Sequence, residues 1–237
     1  MNNQQEIKLF LTNSSACDYL PGYEQSSVVA DPAITINNNL YDLLITHGFR
    51  RSGNTIYRPH CHNCHACIPL RIPVEQFKMS RSQRRNYNMN TDLTVNPRPA
   101  AFNDEHFALY CKYQTLRHPG SSMCNPTPDE YLNFLTSRKI NTVFYEFRLE
   151  QTLVAIAVTD ILQHGLSAVY TFYDPAYQTR GLGTYAILWQ CQQAKHLDLP
   201  WLYLGFWIAN SQKMAYKIKF QPCEGFQNSS WQPIYPV

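Results

Sequence analysis

Three cysteines stand at a spacing that suits a metal site. Cys61, Cys64 and Cys67 form a C-x2-C-x2-C run, and Cys17 lies earlier in the same turn-rich part of the chain. Soft thiolate ligands at this spacing can reach one metal, so we predict that the four cysteines hold zinc or an iron–sulfur cluster. Burial of reduced cysteines that only brace a small domain is the alternative. Three interleaved histidines could substitute as ligands, and these are His60, His62 and His65.

A strongly basic segment surrounds the cysteine run. Residues 47–85 carry eight Lys and Arg residues and one acid, a net charge of +7, which leaves −4 for the remainder of a chain whose total is +3. This asymmetry is typical of proteins that bind a polyanion, because phosphate neutralisation dominates affinity for nucleic acids. A solvated basic face without a ligand is the alternative. The arginines at helical spacing that could track phosphates are Arg81, Arg84 and Arg85.

A second basic cluster lies near the end of the chain, at Lys213, Lys217 and Lys219. The i, i+4 spacing of the first two predicts that they share one helix face, and we predict phosphate contacts for all three. Aromatic side chains near the two clusters could stack on unpaired bases, although each also suits a core position. These aromatic residues are Tyr87, Trp207 and Tyr216.

A glycine-rich loop occupies residues 178–183. Its sequence, QTRGLG, matches the Q/R-x-x-G-x-G/A pattern of GNAT acyltransferases, in which backbone N–H groups at a helix N-terminus hold an anion. Gly181 and Gly183 permit close approach of a ligand to the backbone. A plain helix entry turn is the alternative explanation of the glycine pair.

The composition is that of a folded protein. The chain has 237 residues, 44% hydrophobic and 14% aromatic, which is enough for one large domain or two small ones. No apolar run approaches the roughly 20 residues of a membrane span. The N-terminal MNNQQEIKLF lacks the basic and apolar regions of a signal peptide. We therefore predict a cytoplasmic protein with no membrane partner.

The elements that position these residues fall into two predicted parts. Residues 1–100 are turn-rich and predict a smaller, irregular, cysteine-containing basic region with one helix near 37–49. A helix over 105–118 follows, capped by Asn103 or Asp104, and Thr127 begins another over 131–137.

Three runs of β-branched and aromatic residues, 142–149, 152–162 and 166–174, predict an antiparallel meander. The glycine loop then leads into a predicted helix at 185–197, a strand at 201–208 and a helix at 210–220. This order predicts an α+β protein whose residues 101–237 form a GNAT-like acyltransferase domain, with a mixed, mostly antiparallel sheet and flanking helices.

Several blocks in this order resemble the aminoacyl-tRNA-protein transferases of the N-degron pathway, most closely their compact bacterial branch. The resemblance covers nearly the whole chain. Its blocks are CDYLPG (17–22), GFRRSG (48–53), YRPHCHNCHACIPLR (57–71), SRSQRR (80–85), AVTDIL (157–162), SAVYTFYDP (167–175), GLGTYAILWQ (181–190), LYLGFWI (202–208) and KMAYKIKFQPCE (213–224).

The resemblance implies a tRNA-dependent aminoacyltransferase. Leucine would move from leucyl-tRNA to the α-amine of a protein that begins with Asp or Glu, and the product would be marked for degradation. No cofactor is required for this transfer chemistry. The related eukaryotic arginyl transferases resemble metal or iron–sulfur proteins through a C-x-x-C near their N-terminus, but residues 17–20 of this chain read CDYL and lack the second cysteine.

Aminolysis of an activated ester needs positioning more than a strong base, since an α-amine has an unperturbed pKa of about 8. We expect Tyr173 and Asp174 to orient or deprotonate the amine, and the N–H groups around Gly181 and Gly183 to hold the developing anion. A plain Asp-Pro turn is the alternative for Asp174. Asp160 is a weaker catalytic candidate.

An acidic acceptor residue calls for a cation with bidentate geometry. Arg180, beside the glycine loop, is the first candidate, and Arg58 and Arg84 are the alternatives.

Three other functions compete with leucyl transfer. Arginyl transfer to the same acceptors is the nearest, because the donor preference depends on contacts that the sequence does not locate. A CoA-dependent acetyltransferase would need only the glycine loop, and a non-enzymatic, zinc-bearing RNA-binding module would need only the basic cysteine-containing segment.

Overall fold

The computed structural model describes residues 7–117 and 124–236, and the elements below belong to this part. The α-helices are Asn38–Thr46 (α1), Arg81–Met89 (α2), Asp104–Arg117 (α3), Pro128–Leu135 (α4) and Leu182–His196 (α5). The strands are Leu9–Leu11 (β1), Ser15–Ala16 (β2), Glu24–Gln25 (β3), Ser27–Ala30 (β4), Arg50–Ser52 (β5), Thr55–Pro59 (β6), Ile68–Pro73 (β7), Leu93–Pro99 (β8), Thr142–Leu149 (β9), Thr152–Ile161 (β10), Gly165–Tyr173 (β11), Trp201–Trp207 (β12), Cys223–Gln227 (β13) and Ser230–Ile234 (β14).

One large sheet organises the chain. Its strand order is β14-β13-β7-β12-β11-β10-β9-β8, and only β11 and β12 are parallel neighbours. A four-stranded sheet, β1-β4-β6-β5, and a two-stranded sheet, β2-β3, precede it in the chain. The predicted α+β class with a mostly antiparallel sheet is therefore confirmed.

The predicted meander is present as β9, β10 and β11, which pair antiparallel. Alternate residues of β10 serve opposite faces, as the period of a strand requires. Ile156 and Val158 pack in the cluster under α3 and α4. Ala155 and Ala157 pack with residues of α5, where their small side chains allow the helix to lie close to the sheet.

Two helix starts follow the predicted capping chemistry. Thr127 and Glu130 form a reciprocal capping box at the start of α4, and the Asn103 side chain accepts a hydrogen bond from the His106 backbone at the start of α3. The predicted range of this helix extended to residue 118, which lies outside the described residues.

One predicted helix differs in the structure, and the predicted domain boundary, which stays a prediction, falls within the span of the large sheet. The predicted helix at 210–220 is only a 3-10 helix, Ala215–Lys219, because the Trp207 indole and the Lys217 amine donate to backbone carbonyls and hold this segment against β12. The large sheet also includes β7 and β8, which precede the predicted boundary at residue 100. A division at that residue therefore does not follow the sheet.

A buried ion pair joins the four-stranded sheet to the large one. Arg51 of β5 donates to both carboxylate oxygens of Asp160 on β10, at 2.6 and 2.7 Å, and both side chains are fully buried. The same guanidinium donates to Thr142 Oγ1 and to the Leu135 carbonyl, each at 3.0 Å. Asp160 is thus a structural residue, and its assignment as a weaker catalytic candidate was wrong because its side chain is fully buried and both carboxylate oxygens are bound to Arg51.

Among residues 7–117 and 124–236, no helix combines the length and the apolar character that crossing a membrane would require.

Replacement of Asp160 by Asn should destabilise the fold strongly. The substitution leaves the Arg51 charge buried without a counter-ion, which typically costs about 3–5 kcal/mol. Urea unfolding followed by circular dichroism measures the change. Glu75→Gln is the matched control, because its exposed ion pair with Lys195 should contribute less than about 1 kcal/mol. Equal effects of the two variants would contradict the structural role of the Arg51–Asp160 pair.

Candidate active site

A gap in the large sheet defines the site. The parallel strands β11 and β12 pair only where Gly165, Leu166 and Ser167 meet residues 201–203. β11 continues to Tyr173 and β12 to Trp207, but their pairing with each other ends there. The carboxyl ends of the two strands are therefore separate, and the glycine-rich loop leaves from the end of β11.

Arg50 lies in this gap. Its guanidinium donates a hydrogen bond to the Val169 carbonyl of β11. On the other side it lies against Gly205 of β12, where an added Cβ would be only 2.6 Å from Arg50 Nη1. Gly205 also has a φ of +70°, which favours glycine. Arg50 thus bridges the two strands where their own hydrogen bonding has ended.

Sequence reasoning counted Arg50 only as part of the basic segment. Arg50 and Arg51 are successive residues of a strand, so their side chains point to opposite sides. One enters the buried ion pair and the other enters the gap. The adjacent pair of arginines in GFRRSG carried a signal that two roles were present, but it could not say which arginine had which role.

The glycine loop leads into α5, and backbone N–H groups at the start of this helix are free to donate hydrogen bonds. A 3-10 helix, Pro175–Arg180, ends at Gly181, which adopts the left-handed conformation at φ +61° and begins α5. The Gly181 N–H donates to the Gln178 carbonyl at 3.1 Å, so it is already used. In the described part of the chain, the N–H groups of Leu182 and Gly183 have no such partner. Anion binding by this loop stays a prediction, and the N–H groups that are free for it are those of Leu182 and Gly183.

Asn86 of α2 and Asn90, which caps the C-terminus of this helix, fix the loop and together form an asparagine clamp. Asn86 Nδ2 donates to the carbonyls of Arg180 and Gly181 at 2.9 and 3.3 Å, and Asn90 Nδ2 donates to the Arg180 carbonyl at 2.9 Å. Asn90 is fully buried. Because these amides occupy the carbonyls that precede α5, they orient the start of the helix and its free N–H groups.

The Arg180 side chain is engaged with Asp92. Its Nη2 donates to both carboxylate oxygens at 2.6 and 2.7 Å. This pair ties the loop to the chain segment that follows α2. Acceptor binding by Arg180 stays a prediction, and it would require the guanidinium to leave this partner.

Tyr173 and Asp174 lie beside the loop, as the sequence predicted, but Asp174 is occupied. Its carboxylate accepts a hydrogen bond from the Ala176 N–H at 2.9 Å and pairs with Lys112 at 2.7 Å. This geometry favours the turn interpretation of Asp174. The Tyr173 ring packs on Tyr113 with centroids 5.0 Å apart, and its Cε1 would be 3.7 Å from a Cβ placed on Gly183. Tyr173 is thus the predicted side chain nearest to the free donors.

The predicted phosphate-binding arginines share one exposed face of α2. Arg81, Arg84 and Arg85 line an open concavity together with Asn88. They point away from the face that carries Asn86 and Asn90, as their positions around the helix require. The basic helix therefore binds the loop with one face and presents arginines to solvent with the other.

The remainder of the basic segment is not one surface. Arg51 is buried, and Arg71 pairs with Glu224 and packs over the Trp201 ring at 3.5 Å. Arg58 donates to the His47 carbonyl at 2.9 Å and lies over the Phe49 ring, and burial lowers its pKa from the ordinary value. Arg58 belongs to the four-stranded sheet, so its role in acceptor binding stays a prediction that no contact in the structure supports.

The position of Lys217 differs from the prediction for the second basic cluster. Its side chain is buried, and Nζ donates to the Phe206 carbonyl at 2.9 Å. Burial, and then the nearby Arg50 charge, hold the pKa of this amine well below its usual range. The predicted phosphate contact of Lys217 is wrong, because the 3-10 helix turns it inward, whereas Lys213 and Lys219 are exposed.

The three aromatic residues that were candidates for stacking on bases lie in different environments. Trp207 is buried and donates to the Ala215 carbonyl, and the Tyr87 ring packs on Tyr185 with centroids 5.5 Å apart. Tyr216 is 39% exposed, so among these three it alone keeps a large face open to a ligand.

The four candidate metal ligands gather near one apolar cluster. Cys17, Cys64 and Cys67 pack against buried residues that include Phe206 and Ile208, and Cys61 pairs with Cys64 in an isolated β-bridge. Burial first, and then the charges of the other three cysteines, raise the pKa of Cys67 to about 12. The thiols are therefore within electrostatic range of each other.

The cysteine cluster is nevertheless not arranged as a coordination site. In the part of the chain that the structure describes, no three Cys, His, Asp or Glu side chains stand where they could hold a metal ion. All four cysteines are free thiols, and the three interleaved histidines are exposed. Proximity supports the predicted ligand set, but metal binding stays a prediction.

Two protein-family descriptions match this chain, one over its N-terminal part and one over its C-terminal part. Residues 15–85 match the family described as "Arginine-tRNA-protein transferase, N terminus", and residues 105–227 match "Arginine-tRNA-protein transferase, C terminus". The chain belongs to the arginine-tRNA-protein transferase family. It is therefore an aminoacyltransferase, as the resemblance implied.

The relatives of this transferase are similar over almost their whole length. Aspartate/glutamate leucyltransferase from Hahella chejuensis is 46% identical over 99% of this chain and 100% of its own. The enzymes of the same name from Thiobacillus denitrificans and Pseudomonas fluorescens strain Pf0-1 are 46% and 45% identical, over 97% and 98% of this chain and 96% and 98% of their own.

Two solved structures are similar to this transferase at low sequence identity, and this similarity supports the fold but no function. The C-terminal DUF2156 domain of a protein from Agrobacterium fabrum matches with a TM-score of 0.51 at 11% identity, over 71% of this transferase and 58% of that chain. L-PGS from Bacillus licheniformis matches with a TM-score of 0.50 at 12% identity, over the same shares.

Gly181→Ala should reduce amino-acid transfer by roughly 10- to 100-fold, since small displacements of catalytic groups have effects of that size. An added Cβ would lie 2.6 Å from Asn86 Nδ2 and would push the clamp and the free N–H groups apart. Single-turnover transfer rates measure the loss.

Gly22→Ala is the matched control for this variant. Gly22 also has a positive φ, +81°, but nothing lies within 4 Å of its Cβ position. It should lose some stability through backbone strain and keep its transfer rate. Equal losses of rate in both variants would mean that strain, and not the clamp, explains the effect.

Proposed function

We propose that this transferase moves leucine from leucyl-tRNA to the α-amine of proteins that begin with Asp or Glu, and so marks them for degradation. The observation that carries the proposal is the similarity of 44–46% identity, over nearly the whole chain, to enzymes named aspartate/glutamate leucyltransferase. The substrates are charged tRNA and proteins, so we expect the reaction to take place in the cytoplasm.

The chemistry is transfer of an acyl group between an ester and an amine. The acceptor nitrogen attacks the ester carbonyl carbon, the new C–N bond forms, and the C–O bond to the tRNA ribose breaks. The proton lost by the amine ends on the departing ribose oxygen. Positioning of the two reactants can supply roughly 7–11 kcal/mol at best, so the reaction does not need a strongly basic side chain.

The free N–H groups of Leu182 and Gly183 suit the negative charge that develops on the carbonyl oxygen. They are backbone donors at the positive end of α5, and the asparagine clamp holds them in place before substrate binds. Tyr173 would orient the attacking amine, because its ring lies beside Gly183. Asp174 would hold the turn through Ala176 and Lys112.

The exposed arginines of α2 suit the phosphates of the donor tRNA. Arg81, Arg84 and Arg85 project together into solvent, and the opposite face of the same helix binds the loop that carries the catalytic donors. Lys213 and Lys219, which are also exposed, would extend the positive surface. tRNA bound on this helix would have its position set relative to the reacting ester.

A structural metal at the cysteine cluster stays a proposal, and it would require the four side chains to rearrange. Cys17, Cys61, Cys64 and Cys67 offer four soft ligands of a kind that zinc and iron–sulfur clusters prefer, and three of them, Cys17, Cys64 and Cys67, pack against one apolar cluster. A bound metal would supply cross-links between segments 17–20 and 61–67 and no chemistry to the transfer.

Arginyl transfer is the second candidate, because the matching family is described by arginine-tRNA. A transfer assay distinguishes the donors. Purified protein would receive tRNA charged in parallel with leucine or arginine, together with peptides that begin with Asp, Glu, Lys or Ala, and mass spectrometry would detect the extended products. We expect leucine on the Asp and Glu peptides only. Arginine on those peptides would change the donor, and no product with either tRNA would overturn the proposal.

The salt dependence of tRNA binding tests which cations contact phosphates. Each phosphate contact contributes about one to the slope of the logarithm of affinity against the logarithm of salt concentration. Arg84→Gln should therefore reduce the slope by about one, whereas Lys217→Met should leave it unchanged because Lys217 is buried. Fluorescence anisotropy with leucyl-tRNA measures both, after circular dichroism has confirmed folding. A reduced slope for Lys217→Met would contradict its inward position.

A further inference from the structure

Arg50 differs from the other recessed arginines in its partners. Arg51, Arg71, Arg148 and Arg180 each pair with an Asp or Glu at 2.7 Å or less. Within residues 7–117 and 124–236, no carboxylate lies within ion-pair distance of Arg50. Its guanidinium has five donors and one identified backbone acceptor, the Val169 carbonyl. A partly buried cation is thus left without a counter-ion at the gap.

Two tyrosine hydroxyl groups lie within electrostatic range of this cation and can donate hydrogen bonds. The Arg50 charge acts on the hydroxyl groups of Tyr170 and Tyr216. Tyr170 accepts a hydrogen bond from Gln114 Nε2 at 3.2 Å, which leaves its own hydroxyl proton available for another acceptor. The side chains near Arg50 therefore offer hydrogen-bond donors that suit an anion.

The gap also connects to the catalytic donors. Tyr216 lies within electrostatic range of both Arg50 and Tyr173, so the three side chains belong to one neighbourhood. The Tyr173 ring in turn stands beside Gly183 at the start of α5. A ligand that places an anion on Arg50 could therefore place a neighbouring group near the free N–H groups of the loop.

We propose that Arg50 binds the side-chain carboxylate of the acceptor's N-terminal Asp or Glu and so determines acceptor specificity. This inference rests on the proposed function. A guanidinium fork matches a carboxylate in two parallel hydrogen bonds, and the α-amine of the same residue is only a few bonds from that carboxylate. Specificity and reaction would thus be set in one gap, by Arg50 at one side and the helix donors at the other.

The alternative anion is a phosphate of the tRNA. Phosphates follow one another along a chain and suit an extended exposed surface, which α2 already provides with Arg81, Arg84 and Arg85. Arg50 is a single recessed cation with aromatic neighbours, and this arrangement suits one side chain. The three arginines that the sequence suggested are less suitable: Arg180 is held by Asp92, Arg58 by the His47 carbonyl, and Arg84 faces away from the loop.

Arg50→Gln tests the proposal with two matched peptides, one that begins with Asp and one that begins with the isosteric Asn. The wild-type protein should prefer Asp strongly. The variant should lose on the order of 100-fold in kcat/KM for the Asp peptide, since removal of one partner of a recessed charged pair has effects of this size. Its rate with the Asn peptide should fall far less than its rate with the Asp peptide, so the ratio of Asp to Asn rates should collapse. Arg50→Lys, which keeps the charge without the fork, should recover part of the preference.

Arg58→Gln is the control variant, because it removes an arginine from the same four-stranded sheet outside the gap. It should keep the Asp preference, and leucyl-tRNA affinity should be unchanged in Arg50→Gln. An unchanged ratio of Asp to Asn rates in a folded Arg50→Gln protein would overturn the proposal, as would a loss confined to tRNA affinity. Absence of transfer by the wild-type protein would instead refute the proposed function itself.

Discussion

Termination of the hydrogen bonding between β11 and β12 is the constraint on which the site depends. Three residues of each strand pair, and then the two strands continue with partners on their other sides only. The unpaired edges would leave backbone groups unsatisfied if the gap were empty and dry. Arg50 satisfies the Val169 carbonyl on one edge, and Lys217 satisfies the Phe206 carbonyl on the other. The long side chains of Arg50 and Lys217 thus replace strand pairing where the sheet is open.

The short strand β5 supplies both of the arginines that make this arrangement possible. Arg51 anchors the strand through a fully buried pair with Asp160, and this anchor fixes where the next side chain, Arg50, emerges. Successive residues of a strand cannot exchange sides without a shift of register. The Arg51–Asp160 pair therefore fixes where the four-stranded sheet meets the large sheet, and it also fixes the position of Arg50 in the gap.

The elements with regular periodicity could be predicted from the sequence, and those held by long-range contacts could not. The meander, the capped helices and the glycine-loop helix follow from local patterns, and they are where the sequence placed them. The segment around Lys217 read as a helix because its spacing is helical, but its contacts with β12 decide its conformation. The candidate site residues divide in the same way. Tyr173 and the two glycines lie in a local sequence motif that could be recognised. Arg50, Asn86 and Asn90 contact residues that are distant in the sequence, and no local pattern indicates these contacts.

The asparagine clamp has a consequence for how the two substrates communicate. Asn86 of α2 and its cap residue Asn90 lie opposite the exposed arginines, and they hold the carbonyls that precede the free N–H groups of Leu182 and Gly183. The proposed tRNA contacts and the clamp therefore share one short helix of nine residues and its cap. Binding of tRNA phosphates to this helix, far from the ester, can then help to align the ester with the free N–H groups. A truncated donor that lacks the contacted phosphates would consequently react more slowly even when it saturates the enzyme.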